Sequence, residues 1–348
     1  LHNLANITKV SKGLDMRIKN HIKAGFLGLA VLATIGSASA QTLLNVSYDV
    51  SREFYKDINT AFVAQYKKTT GKEIKVDQAH GGSSAQARAV ADGLEADVVT
   101  MNTINDVDFL ATNGVVAKDW LKKFPNNAAP TSSTMLFLTR NGNPKQIKDW
   151  DDLIKPGVKV VLVNPKTGGN GRMAYLAAWG YVRKKGGTDA QAAEFVSKLY
   201  KNVPVLAKGG RDATTIFLQR NIGDVLITFE SEVVSVDREF GVGKVDAVHP
   251  SVSIIAPNPV AVVERTTAKK GTAALAKAYL DFLYTDEAQE IAAQHALRPT
   301  SSAILKKYSN TFKPLQLFAV EEYFGSMQQA QKVHFNDGGQ FDKIYINQ

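Results

Sequence analysis

The sequence contains no cysteine, so it has no disulfide framework, no thiolate nucleophile and no cysteine-ligated zinc or iron–sulfur site. Histidine is scarce as well. From residue 41 onward only His80, His249, His295 and His334 occur, and they form no H-x-x-x-H pair of the kind a helical metal site uses. There is no G-x-x-x-x-G-K-[ST] phosphate loop, no strict G-x-G-x-x-G and no G-x-S-x-G nucleophile elbow. Gly169, Gly171 and Ala174 match the looser G-x-G-x-x-A form, a weak signal alone. These absences disfavour nucleotide binding and serine-esterase chemistry. What is there is a chain of 348 residues, 44% hydrophobic and 22% charged. Such average values exclude a disordered, collagenous or multi-span membrane protein and fit one large or two medium domains.

The formal net charge is +9, but its distribution argues against a nucleic-acid partner. Residues 1–40 carry Lys9, Lys12, Arg17, Lys19 and Lys23 against Asp15, which is +4. The rest carries 37 basic and 32 acidic side chains, a diffuse +5 with no dense basic tract interleaved with aromatics. The front segment has instead the three parts of an export signal. Arg17, Lys19 and Lys23 precede an uncharged apolar stretch, 24–35, and then Ala38-Ser39-Ala40, an A-x-A cleavage pattern. Those 12 apolar residues are short against the roughly 20 of a membrane-spanning anchor. Residues 1–15 therefore read as an extension upstream of a plausible initiator Met16, 16–40 as a cleaved signal peptide, and the remainder as a mature chain working outside the cytoplasm.

Within that remainder, short apolar runs at 43–47, 74–78, 97–101, 134–139, 158–164, 224–229 and 260–264 read as buried strands. Between them lie amphipathic segments, such as Phe54, Ile58, Ala61, Phe62 and Tyr66, spaced by three and four. The alternation implies an α/β fold with parallel sheets covered on both faces. The last 80 or so residues are mostly helical in pattern, with no internal repeat. Two stretches, 134–144 and 251–263, read either as passages between two lobes or as ordinary buried strands of one domain. Periodicity alone does not separate these readings.

A recurrence is more informative. Four times a polar loop rich in glycine or capping residues follows a strand and opens a helix: Ser47 to Arg52, His80-Gly81-Gly82-Ser83-Ser84, Asn164 to Arg172, and Lys208-Gly209-Gly210-Arg211-Asp212. A helix start leaves N–H groups unpaired and carries partial positive charge, and glycine lets that backbone approach a ligand closely. Any single loop of this kind could simply turn strand into helix. Four of them at the carboxyl ends of strands point to a convergent anion site. Arg52, Arg88, Arg172 and Arg211 lie in or just after these loops; they either clamp the anion or, the preferred reading, pair with acids such as Asp49, Asp106 or Glu53. Glu230 and Glu232 follow a strand and serve equally as helix-start charges or catalytic carboxylates.

With these residues in view, the chain resembles the periplasmic sulfate-binding proteins, the receptors of ABC-type sulfate and thiosulfate importers. The resemblance runs from about Leu43 to Tyr345 and includes Asn45-Val46-Ser47-Tyr48-Asp49, His80-Gly81-Gly82-Ser83, Gly93-Leu94-Glu95-Ala96-Asp97, Asn164-Pro165-Lys166-Thr167, Tyr175-Leu176-Ala177-Ala178-Trp179-Gly180 and His334-Phe335-Asn336-Asp337-Gly338-Gly339. It implies a two-lobed periplasmic binding protein fold of type II, with residues 41–138 plus 253–348 as the first lobe and 139–252 as the second, joined by crossover strands. It also implies a monomer without cofactor or metal that hands its anion to a permease driven by a cytoplasmic ATPase.

The resemblance places the ligand among backbone donors of Asp49, Ser83, Gly169, Asn170 and Gly210, with Thr167, Arg52 and Arg211 in support. Two positions depart from the family: Gly168 stands where a serine hydroxyl is usual and Phe229 where a tryptophan indole is usual. A hydrogen bond to a charged group contributes about 1.5–3 kcal/mol, so losing both unreplaced would cost about two to four decades of affinity. Thr167, the Asn170 side chain or water could replace them, or Phe229 could widen the pocket for a sulfate ester or sulfonate. Thiosulfate, molybdate and phosphate are further alternatives, and an exported ester hydrolase is the alternative from another class. A donor-only site favours sulfate over protonated phosphate, which needs an acceptor.

Overall fold

The computed structural model describes residues 40–346; the expected signal peptide and its upstream extension lie outside the described residues. Two sheets organise the chain. The first has the order Val260–Val262, Val98–Thr100, Gln41–Tyr48, Ile74–Gly81. The second has the order Leu206–Ala207, Val160–Val163, Val225–Phe229, Met135–Arg140, Val245–Val248. In the second, residues alternate strictly between faces: Phe137, Val160, Leu162, Val225 and Ile227 enter one core, while Leu138, Val161, Val163 and Leu226 enter another. The two-residue period of a strand demands this when helices cover both faces.

The expected parallel pairing holds for most strands of the two sheets but not for all. Each sheet has one antiparallel strand, Val260–Val262 in the first and Met135–Arg140 in the second, while the other pairings are parallel. Both strands arrive directly from a passage between the sheets, so no crossover helix of a βαβ unit imposes direction on them. The passages themselves, Thr131–Ser133 and Ala256–Asn258, pair antiparallel and are joined by Arg298–Pro299. Of the two stretches suspected from sequence, 251–263 contains its passage. The other passage lies just before 134–144, and a boundary after residue 138 would cut through the Met135–Arg140 strand.

The C-terminal run also departs from the expectation that 253–348 belongs with the first lobe. The strand Gln316–Phe318 pairs with Val252–Ile254, and Phe318, Phe324, Met327, Phe335, Phe341 and Ile344 share a core with Phe137, Trp150 and Tyr175 of the second lobe. That core is centred on the helix Gly169–Lys184, in which every residue from Gly169 to Tyr181 is buried. A helix covered all round needs partners on every side, and the C-terminal aromatics supply one of them. Gly180 marks the closest approach: a Cβ there would stand 2.0 Å from the Phe318 ring.

Candidate functional site

All four strand-to-helix loops form as expected. They open the helices Arg52–Thr70 (through a 3-10 turn, Asp49–Ser51), Ser83–Ala91, Gly169–Lys184 and Gly210–Leu218. Two come from the first lobe and two from the second. They meet around one small cavity, lined by Asp49, Ser83, Gly168, Gly169, Asn170, Gly210 and Phe229 together with Val50, Gly82, Asn102, Val163 and Gly209. The seven residues expected to touch ligand thus share one site. Among the described residues no lysine, arginine or histidine lines it, so its positive potential comes from helix starts.

Each loop is held by its own side chains, which leaves backbone N–H groups for the cavity. Ser51 Oγ donates to Tyr48 O at 2.7 Å and Ser47 Oγ to Thr100 O at 3.0 Å. The Ser83 hydroxyl donates to Asp106 Oδ2 at 2.5 Å and that of Ser84 to Asp106 Oδ1 at 2.8 Å. With its hydroxyl committed to Asp106, Ser83 offers the cavity its N–H. Arg172 is buried and reaches across from the second lobe: it bonds Ser84, donates from Nε to Pro165 O at 3.1 Å and stands 3.5 Å from Asp106. It therefore pairs with an acid, as the structural reading of these arginines required, and stays out of the cavity.

The glycines are needed for space. A Cβ on Gly169 would lie 2.1 Å from Asn102 Oδ1, and one on Gly209 would lie 2.8 Å from Asp49 Oδ2. Gly168 is closed in as well: a Cβ would meet Val163 Cγ1 at 2.8 Å, so a serine does not fit there without displacing Val163. The departure at Gly168 therefore has a packing cause in this chain.

Of the supporting residues, Thr167 does not line the cavity; its hydroxyl binds Asn164 O at 3.2 Å and Lys208 O at 3.1 Å, tying two loops together. It therefore does not supply the donor that Gly168 lacks. Arg211 and Arg52 lie beside Glu53, Arg238 and Glu239 in a neighbouring cavity at the cleft mouth. Arg211 pairs with Glu239 and stands 3.8 Å from Glu232. Its backbone N–H donates to Asp49 Oδ2 at 3.1 Å, so the Asp49 carboxylate of the first lobe caps the Gly210 helix of the second. Burial pushes the Asp49 carboxyl up, against the lowering pull of the Arg211 and Val50 N–H groups. Glu232 is fully buried, accepts from Thr214 Oγ1 at 2.7 Å and is pushed up to about 7 by burial.

The sequence reading missed Asn102. It follows the strand Val98–Thr100 and precedes the helix Ile104–Thr112, a fifth strand-to-helix loop without glycine. Its Oδ1 and that of Asn170 are buried without a partner. An amide turned by half a rotation offers N–H groups instead of oxygen. Asn170 can turn because its partner Thr228 Oγ1, 3.1 Å away, both donates and accepts. These two amides can stand in for the absent serine and indole donors.

Two α/β lobes closing helix starts around a small cavity lined without cationic side chains define an extracytoplasmic solute-binding protein. The description "bacterial extracellular solute-binding protein" fits the family whose model matches residues 46–298. The chain belongs to this family, within its sulfate- and thiosulfate-binding branch. It is 55% identical over 318 residues to the thiosulfate-binding protein of Pseudomonas aeruginosa, covering 91% of this chain and 96% of that one. To the sulfate-binding protein of Escherichia coli K12 it is 49% identical over 321 residues, covering 91% and 98%. The solved sulfate-binding protein of Mycobacterium tuberculosis superposes with a TM-score of 0.77 at 30% identity, covering 84% of this chain and 98% of that one. A periplasmic thiamin-binding protein, at 18% identity and TM-score 0.65 over 85% of this chain and 97% of that one, shares the fold alone.

Proposed function

We propose that this protein captures sulfate in the periplasm, between two lobes, and delivers it to the permease of an ABC-type importer, acting as a monomer after its signal peptide is removed. The reading rests on one observation above all: helix starts from both lobes converge on a cavity without a cationic side chain. Backbone N–H groups of Asp49, Ser83, Gly169, Asn170 and Gly210 would hold the dianion, completed by the Asn102 and Asn170 amides. Sulfate is fully ionised and only accepts hydrogen bonds, so such a donor set suits it. Closure follows from the same geometry, because donors of both lobes meet the anion only when the lobes meet. The role needs no chemistry on the ligand. Among the described residues no group of three or more His, Asp or Glu is arranged to hold a metal.

Thiosulfate is the second reading, favoured by Phe229, an apolar ring where an indole donor is usual and well matched to a larger, softer terminal sulfur. Calorimetric titration of ligand-stripped residues 41–348 with sulfate, thiosulfate, phosphate, molybdate and methyl sulfate separates the readings. Sulfate is expected to bind at micromolar concentration or tighter, and phosphate at least about a hundredfold more weakly, from the loss of one charged hydrogen bond and an unmatched proton. Tight thiosulfate with undetectable sulfate would replace the first reading by the second.

A further inference from the structure

Away from the anion cavity, a second cluster joins the lobes at the cleft mouth. Arg238 belongs to the helix Ser231–Phe240, whose Val236 enters a second-lobe core. Its Nη1 stands 3.0 Å from Nδ1 and 3.1 Å from Nε2 of His295. His295 caps the helix Asp286–Gln294 of the first lobe, is buried, and packs edge-on against Phe54. Its Nε2 lies 2.7 Å from Asp57 Oδ2 on the helix Arg52–Thr70.

Hydrogen-bond inventory fixes the protonation state this geometry needs. A guanidinium only donates and a carboxylate only accepts, whereas neutral imidazole has one donor and one acceptor. Both neighbours are satisfied when Nε2–H donates to Asp57 and Nδ1 accepts from Arg238. Protonation turns Nδ1 into a donor, so Arg238 loses its acceptor and faces a second cation at hydrogen-bond distance. The charged groups acting on His295 are Asp57 and Glu53 from the first lobe and Arg238 from the second. Burial foremost, then Arg238, holds its pKa below the ordinary histidine value against the two acids.

We propose that Arg238, His295 and Asp57 form a clasp that exists only when the lobes are closed, retains the bound anion at neutral pH and opens as His295 becomes protonated. Arg238 and His295 are positioning residues, since neither lines the anion cavity. The inference rests on the reading of the cavity as a sulfur-oxyanion site. It predicts a direction that the carboxylate at the anion cavity opposes: protonating Asp49 in acid removes negative charge beside the ligand and would tighten binding.

The test is the dissociation rate of labelled sulfate, chased with unlabelled sulfate, from pH 8 to pH 5, a range in which sulfate keeps its charge. Wild type is expected to release it about tenfold faster at pH 5.5 than at pH 7.5, from the loss of one charge-assisted bond. His295→Gln keeps one acceptor and one donor at any pH, so its rate should stay within about twofold of wild type at pH 7.5 and show no acid rise. Arg238→Met should be fast throughout and flat. An acid-independent wild-type rate, or an undiminished acid rise in His295→Gln, overturns the clasp. Should sulfate fail to bind at all, the proposed ligand is wrong, and labelled thiosulfate, also a dianion in this range, puts the clasp through the same measurement.

Discussion

Glu232 shows how a single residue sets a pH dependence. Its carboxyl sits behind the Gly210 helix, fully buried, hydrogen-bonded to Thr214 and raised from 4.5 to about 7 by burial. In the unfolded chain the proton leaves near 4.5, so between the two values the folded state binds more protons. Stability from this group is therefore fully present below pH 4.5, falls as pH rises to 7, and stays lost above that. The swing is on the order of 3 kcal/mol. Glu232→Gln keeps an acceptor for Thr214 without the buried charge, and denaturant melts from pH 5 to pH 8 should show a flatter decline than wild type. A variant with an unchanged slope would remove Glu232 from this role.

The residues that line the candidate cavity were legible one by one wherever glycine or a capping side chain marked a helix start. Gly169, Asn170 and Gly210 carry that local signal, and the structure brings them together with Asp49 and Ser83. Asn102 lies beside the Thr103 N-cap of the helix Ile104–Thr112, so a capping signal was present there too, but without glycine it read as an ordinary helix start. Gly168 was legible as a departure but not in its cause, since the contact with Val163 belongs to the folded chain.

At the scale of elements, strand positions were read within a few residues, because a short buried apolar run is a local property. Strand direction was not: Met135–Arg140 looks like any buried strand, and its antiparallel pairing with Val225–Phe229 follows from the passage that delivers it. Nor did helical spacing near the C-terminus tell which lobe those helices cover. The contact of Phe318 with Gly180 decides it, across 138 residues of sequence. Gly180→Ala would place a methyl 2.0 Å from the Phe318 ring and should destabilise the protein by about 1–3 kcal/mol. Gly180→Ala combined with Phe318→Leu, which makes room, should recover part of that loss in thermal melts. A single variant as stable as wild type would contradict this packing.

For the whole molecule, the net charge of +9 says little about the ligand. Nearly half of it lies in residues 1–40, and the rest is diffuse. Attraction for an anion arises instead from backbone dipoles at helix starts, which a charge count does not register. The arginines nearest the site are engaged elsewhere: Arg172 with Asp106, and Arg211 with Glu239. They hold loops and lobes in register so that neutral donors converge, and the clasp at the mouth adds a contact that only the closed molecule can make.

The measurement that bears most directly on this account is the crystal structure of residues 41–348 with sulfate bound. The anion is expected in the cavity between the lobes, its oxygens about 2.9 Å from the backbone nitrogens of Asp49, Ser83, Gly169, Asn170 and Gly210. A sulfate seated instead against the guanidinium groups of Arg52, Arg211 or Arg238 at the cleft mouth would contradict it.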